Sequence, residues 1–197
     1  EVSREGLSFK IFCGQGLEMW HPLTIKKVGC GGSETAAAWI GKELVAGGNR
    51  AIIYGPARGI YDGVCYTQNL GTEPCDVFIS SRIPDLFKAQ IAARVKLLWF
   101  HDVDCGPAFT PEIASSIDGI ITISHWQTDH IKRVYPWMKD APVVDYGWSQ
   151  TYKDTMEREI FYPDGKCSKL PKILLIPNGI LPDRFTGTVP KVQHQFI

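Results

Sequence analysis

A chain of 197 residues in which 21 Lys and Arg balance 21 Asp and Glu has no net charge. With no basic run longer than a pair, it lacks the electrostatic footprint of a nucleic-acid binder. Its length suits one doubly wound domain that buries about 70% of the surface its unfolded form exposes, so it needs no staple to fold. No apolar run reaches the length of a membrane-spanning helix, and any membrane contact is expected to be peripheral.

Taken in chain order, Leu7 to Cys13 alternates apolar and polar residues before an apolar finish, as a strand entering a core does. The run Gly29-Cys30-Gly31-Gly32-Ser33-Glu34-Thr35 then leads into a helical pattern, with Ala37, Ile40 and Leu44 forming a stripe that Ala36, Trp39 and Ala46 widen. Ser33 is expected to cap this helix and Gly47-Gly48 to end it. Glycines at a strand-to-helix junction let the backbone approach a ligand, and the free N–H groups of the helix start favour an anion. A phosphate or a sugar oxygen is the natural guest, and a tight turn without a ligand is the structural alternative. The spacing fits neither the P-loop nor the dinucleotide fingerprint. His21, ahead of this loop, reads as a solvated loop histidine.

Ala51 to Gly55 reads as the second parallel strand and Pro56 to Gly63 as a polar loop. Val64 to Thr67 reads as a short edge strand and Cys75 to Ser80 as a buried one. A helix is predicted from Ile83 or Pro84 to Ala93, followed by a core strand from Val95 to Phe100 that ends in His101-Asp102-Val103-Asp104. Thr110 is placed to cap a further helix, Gly119 to Ser124 is again a strand, and Ser124 caps a helix from His125 to Val134 that Pro136 stops. Val143-Val144 makes a brief strand, residues 147–170 read as an insertion with a helical turn over 155–161, and Lys172 to Pro177 is the last core strand. Asn178-Gly179 is a turn signal.

Apolar strands alternating with helices define an α/β, Rossmann-like, mostly parallel sheet covered on both faces. Ligands bind such sheets outside the carboxyl ends of the strands. Gly31, Arg82, His101 with Asp102, Ser124 and Asn178 all follow predicted strands, and are expected to line one rim suited to a hydroxyl-rich or phosphorylated ligand. The six cysteines, Cys13, Cys30, Cys65, Cys75, Cys105 and Cys167, show no C-x-x-C pair and no matching His spacing. This argues against zinc and fits a reducing, cytoplasmic compartment, although an even count leaves a disulfide open. Cys13 reads as a buried small hydrophobe.

The run Gly31-Gly32-Ser33-Glu34-Thr35, the strand ending in His101, the junction Ile123-Ser124-His125-Trp126-Gln127 and the late Ile176-Pro177-Asn178-Gly179-Ile180, taken together, resemble the N-terminal half of glycosyltransferase family 4. Its members have the GT-B fold, and the resemblance runs from about Phe9 to Phe185. It implies one Rossmann-like domain, with a linker near 180–197 to a C-terminal domain that binds the donor. It also implies transfer of a sugar from a nucleotide sugar to a glycan or other hydroxyl acceptor with retention. By this resemblance Gly31 and Gly32 match the loop that approaches the donor's diphosphate, with Ser33 beside them, and His101 matches a histidine near the transferred sugar. Arg82 and Ser124 fall on the same rim as candidate acceptor contacts, and no cofactor or metal is implied.

The chemistry agrees with that assignment. Transfer from a nucleotide sugar places negative charge on the departing diphosphate, which preorganised N–H donors stabilise. His101 and Asp102 suit the orientation of hydroxyls, with Asp102 also able to accept a proton. Three competing readings are considered. Asp102-Val103-Asp104 resembles the metal motif of a complete GT-A-type enzyme, where two carboxylates share a divalent ion with a diphosphate. Alternatively, the chain is a non-catalytic glycan-binding or scaffold module, with Trp126, Trp137 and Trp148 stacking on sugar rings, although such residues more often pack cores. A nicotinamide-dependent enzyme is disfavoured by the glycine spacing.

Overall fold

The computed structural model describes residues 6–14, 19–145 and 170–176. The elements are β1 (Ser8–Phe12), α1 (Pro22–Val28), α2 (Gly32–Ala46), β2 (Arg50–Tyr54), β3 (Gly59–Tyr61), β4 (Val64–Thr67), β5 (Cys75–Ser81), β6 (Ala93–Trp99), α3 (Pro111–Ser115), β7 (Gly119–Thr122), α4 (His125–Val134), β8 (Val143–Asp145) and β9 (Lys172–Leu175). The predicted turn at Asn178-Gly179 and residues 147–169 of the insertion predicted over 147–170, with its helical turn, lie outside the described residues.

The strands form one sheet in the order β3-β4-β2-β1-β5-β6-β7-β9-β8. Every pairing is parallel except that of β3 with β4. From β1 the chain builds outward through β2 and β4, then returns to β5 and builds the other way, so strand order reverses between β1 and β5. In a doubly wound sheet that reversal opens a crevice at the carboxyl ends of the strands.

Because side chains alternate across a strand, the apolar runs feed two cores. Ile11, Ile53, Val77, Ile79, Leu97, Trp99, Ile121 and Leu174 are buried on one face with Ile25 of α1 and Ala37 of α2. Phe78, Leu98, Phe100, Ile120 and Ile173 are buried on the other with Ile113 and Ala114 of α3 and Ile131 of α4. The fold is therefore α/β and Rossmann-like, with helices on both faces. Cys13 is 2% exposed and joins the first core. Gly41 sets how closely α2 lies on the sheet: a Cβ there would come within 2.9 Å of Ile53 Cδ1.

Helix ends follow their expected chemistry at several points. The N–H groups of Gly47, Gly48 and Asn49 return to the carbonyls of Glu43, Val45 and Leu44. The left-handed turn that allows this falls on Gly48, at φ 84°. Thr110 caps α3 through a bond from the Ile113 N–H, and Pro136 follows the end of α4. No helix among the described residues is long and apolar enough to cross a membrane.

The fold corrects four local expectations. Gly31, not Ser33, is the N-cap of α2, and it provides no side-chain cap. The helix predicted over 83–93 is only a 3-10 turn, Pro84–Lys88. The chain then runs without regular structure into β6, because Ala93 is already in register with Cys75, and Phe87 packs the turn on Phe78 at 6.0 Å between ring centroids. The polar loop after Pro56 contains β3, so β4 is not the sheet edge. His21 is not a free loop residue: it caps the unforeseen α1, its Nδ1 accepting from the Leu23 N–H at 3.2 Å with Pro22 at the first helical position.

Candidate functional site

The reversal point carries a cleft of ≈ 540 Å³. Gly31, Gly32 and Ser33 at the start of α2, Arg82 after β5, and His101 with Asp102 after β6 all line it. The sheet thus brings six of the seven sequence-predicted site residues to one place. The seventh, Ser124, is not among the lining residues; its neighbour Ile123 is. Ser124 Oγ accepts from the Gln127 N–H at 3.1 Å and so starts α4. Replacing it with alanine should cost about 1 kcal/mol in thermal or urea unfolding, as loss of an N-cap does, and leave ligand affinity at the cleft unchanged.

The N-terminus of α2 opens on this cleft. Its first amides have no carbonyl acceptor within the helix, and the helix dipole adds partial positive charge there. Gly32 has open space where a Cβ would stand, whereas a Cβ on Gly31 would collide with Glu34 Oε2. Close backbone approach is thus available at Gly32, whereas beside Gly31 the space is taken by a carboxylate of the chain itself.

That carboxylate went unnoticed in the sequence. Glu34 is 5% exposed. Its Oε2 accepts from Ser33 Oγ at 2.8 Å and its Oε1 accepts from Arg82 Nη2 at 2.7 Å. Burial alone would raise the Glu34 carboxyl, but the Ser33 hydroxyl, its own backbone amide and the Arg82 guanidinium hold it below the usual carboxylate range. Arg82 reaches it from a left-handed backbone, φ 65°, in which its N–H still bonds the Trp99 carbonyl at 2.9 Å. Such a conformation is costly for a residue with a Cβ.

His101 packs against Trp99 with ring centroids 4.1 Å apart and the planes tilted by 42°. Burial pushes its imidazole down to about 4; the Arg82 guanidinium lowers it further and the Glu34 carboxylate opposes the drop. His101 is therefore neutral at pH 7, a hydrogen-bonding group rather than a cation. Among the described residues, the buried side-chain polar atoms without a partner are Trp20 Nε1, Ser81 Oγ, Trp99 Nε1 and His101 Nε2. Trp20 and His101 line the cleft, Ser81 precedes Arg82, and Trp99 packs against His101. Buried groups are normally satisfied, so the two orphans on residues lining the cleft, Trp20 Nε1 and His101 Nε2, make it the candidate site.

Asp102 is exposed at the rim. The loop that carries it is fixed by Gln127, whose Nε2 donates to the Asp102 carbonyl at 2.5 Å while its Oε1 accepts from the Ile123 N–H at 2.8 Å. Asp104 faces elsewhere. It accepts from the Gly106 N–H at 2.8 Å and pairs with His130 Nε2 at 3.2 Å, and these partners hold its carboxyl below the usual range. The Asp102-Val103-Asp104 carboxylates thus do not share a site. No group of three or more His, Cys, Asp or Glu side chains among the described residues is arranged to hold a metal ion.

Of the tryptophans considered as sugar platforms, Trp137 packs at 5.0 Å and 5.6 Å on Phe109 and Tyr135. Trp126 is 58% exposed over His130, and Trp148 lies outside the described residues.

Fold and site together define a Rossmann-like domain with an amide-rich, guanidinium-bearing cleft at its strand-order reversal. Compared with family models, with curated proteins and with solved structures, the chain finds no match.

Proposed function

We propose that this cleft serves glycosyl transfer: the chain is the acceptor-side half of a retaining, GT-B-type glycosyltransferase that uses a nucleotide sugar and a glycan or other hydroxyl acceptor. The observation that carries this reading is the uncapped α2 N-terminus at Gly31-Gly32, facing the same cleft as Arg82 and the neutral His101. Amides and a guanidinium suit the charge that grows on a departing diphosphate, and they are in place before it forms. A neutral imidazole and the exposed Asp102 suit sugar hydroxyls. On this reading the donor is a co-substrate, no metal is required, nucleic acid is not a partner, any membrane contact is peripheral, and a C-terminal donor-binding domain completes the cleft in a cytoplasmic enzyme.

The GT-A alternative draws no support from Asp104, which is engaged by Gly106 and His130. The exposed ring of Trp126 favours the second alternative, a glycan-binding module without turnover. A single titration series separates the readings. Uridine- and guanosine-diphosphate sugars should shift the amide resonances of Gly31, Gly32 and Ser33 in the presence of a chelator. Free glycans alone should leave those resonances in place. If no nucleotide sugar perturbs them while an oligosaccharide perturbs the Trp126 indole, the transferase reading falls and the binding module replaces it.

A further inference from the structure

The anion-favouring end of α2 already holds an anion, and it belongs to the protein. Glu34 sits in the first turn, 5% exposed, held by the Ser33 hydroxyl, its own amide and Arg82. Arg82 is 25% exposed along its side chain, on a left-handed backbone, and its charge is spent on this contact. The cleft around the pair nevertheless has the marks of a ligand site. The indole N–H of Trp20, a residue 3% exposed that lines the cleft, has no acceptor, and His101 Nε2 has no partner. Two anions cannot share one guanidinium and one helix end without strong repulsion.

We propose that the Glu34 carboxylate is a place-holder for a ligand's phosphate, and that a diphosphate-bearing ligand enters by taking over Arg82 and the α2 amides as Glu34 swings out to water. This rests on the glycosyl-transfer reading for the identity of the natural ligand, but the exchange itself needs only phosphate oxygens. It makes Glu34 the residue that sets what the cleft admits. A lone weak anion meets an occupied site, whereas a diphosphate brings enough charge and enough acceptor oxygens to replace every contact Glu34 gives up. The exchange also holds Arg82 in reserve until a ligand arrives.

The test titrates the whole chain with inorganic pyrophosphate, which carries no sugar or nucleoside. Glu34→Gln keeps the shape of the side chain and removes its charge, so it should bind pyrophosphate about tenfold more tightly than the unmodified protein. Glu34→Asp, shorter but still charged, should not gain affinity. In the unmodified protein, the 13C resonance of the Glu34 carboxyl should move to its solvent-exposed position as pyrophosphate saturates. Equal or weaker binding by Glu34→Gln with its fold intact overturns the proposal. So does a Glu34 carboxyl resonance that stays fixed while the Gly32 and Ser33 amides shift, a readout that remains if the Gln variant fails to fold. Pyrophosphate that perturbs neither overturns it as well. The two readings fail separately: tighter pyrophosphate binding by the Gln variant with no response to any nucleotide sugar removes the transferase and leaves the exchange, whereas nucleotide-sugar binding indifferent to residue 34 does the reverse.

Discussion

Arg82→Ala should lower the free energy of unfolding by about 3 kcal/mol at pH 7, because it strands a buried carboxylate without its partner. The asymmetry of the pair decides the size. The Glu34 side chain is 7% exposed and that of Arg82 25%, so removing the cation leaves a largely buried charge with only the Ser33 hydroxyl and its own amide as partners unless it gives up its place, whereas removing the anion leaves a guanidinium that water partly solvates. Glu34→Gln alone should therefore cost less than half as much. The double variant Arg82→Ala with Glu34→Gln should recover most of the loss, since the uncompensated charge is gone. Arg82→Gly should be less damaging than Arg82→Ala by roughly 1 kcal/mol, because glycine adopts a positive φ without the Cβ clash. A pH series checks the sign. The Glu34 carboxyl is held below its ordinary value in the intact protein, so the pair's contribution is present above that ordinary value and lost as pH falls through the lowered one. In Arg82→Ala the carboxyl no longer has that support, and the deficit against the unmodified protein should shrink in acid. Urea unfolding at pH 7 and pH 4 reads both effects; a deficit that is small at pH 7, or equal at the two, would remove the ion pair as its cause.

How far the sequence reached depended on the range of the interaction involved. Strands such as Cys75–Ser81 and Lys172–Leu175 were legible because their centres, Val77-Phe78-Ile79 and Ile173-Leu174-Leu175, are continuous apolar runs, as a strand buried on both faces requires. The caps at Thr110 and Ser124 were legible because each bonds an amide three residues on. The rim was legible because position after a strand assigns a residue to the carboxyl edge without any knowledge of contacts. The edge strand Gly59–Tyr61 was not, being short, exposed at Gly59 and Ile60, and paired within the sheet with β4 alone. The Glu34–Arg82 contact was not, because 48 residues separate its partners and an acidic residue in a first helical turn needs no partner to be favourable. Gln127, which ties the loop after β6 to the end of β7, looked like an ordinary polar helix residue until its long-range bonds to the Phe100 and Asp102 carbonyls were seen. The metal-motif alternative at Asp102-Val103-Asp104 arose for the complementary reason: the spacing of the two carboxylates is legible, but spacing alone does not say that His130 pairs with Asp104.

His101 should impose a second and separable pH dependence. Its folded-state value lies at about 4, against an ordinary 6.5, because burial disfavours the imidazolium and Arg82 repels it. The unfolded chain therefore binds the proton first as pH falls. Stability present above pH 6.5 is lost progressively down to pH 4, by an amount on the order of 3 kcal/mol. His101→Asn, which keeps a hydrogen-bonding side chain and does not titrate, should abolish that loss between pH 6.5 and 4.5, a window above the range where the lowered carboxylates titrate. Parallel urea unfolding of the two proteins across this window gives the difference, and identical slopes would show that His101 is not held neutral by its surroundings. Under the proposed function, the neutral imidazole also predicts that turnover by the complete enzyme shows no break near pH 6.5. Replacing His101 with alanine there should lower the transfer rate about a hundredfold while donor affinity changes far less, because a neutral group aimed at hydroxyls orients the reacting sugar and leaves the hold on the diphosphate to the amides of α2 and Arg82.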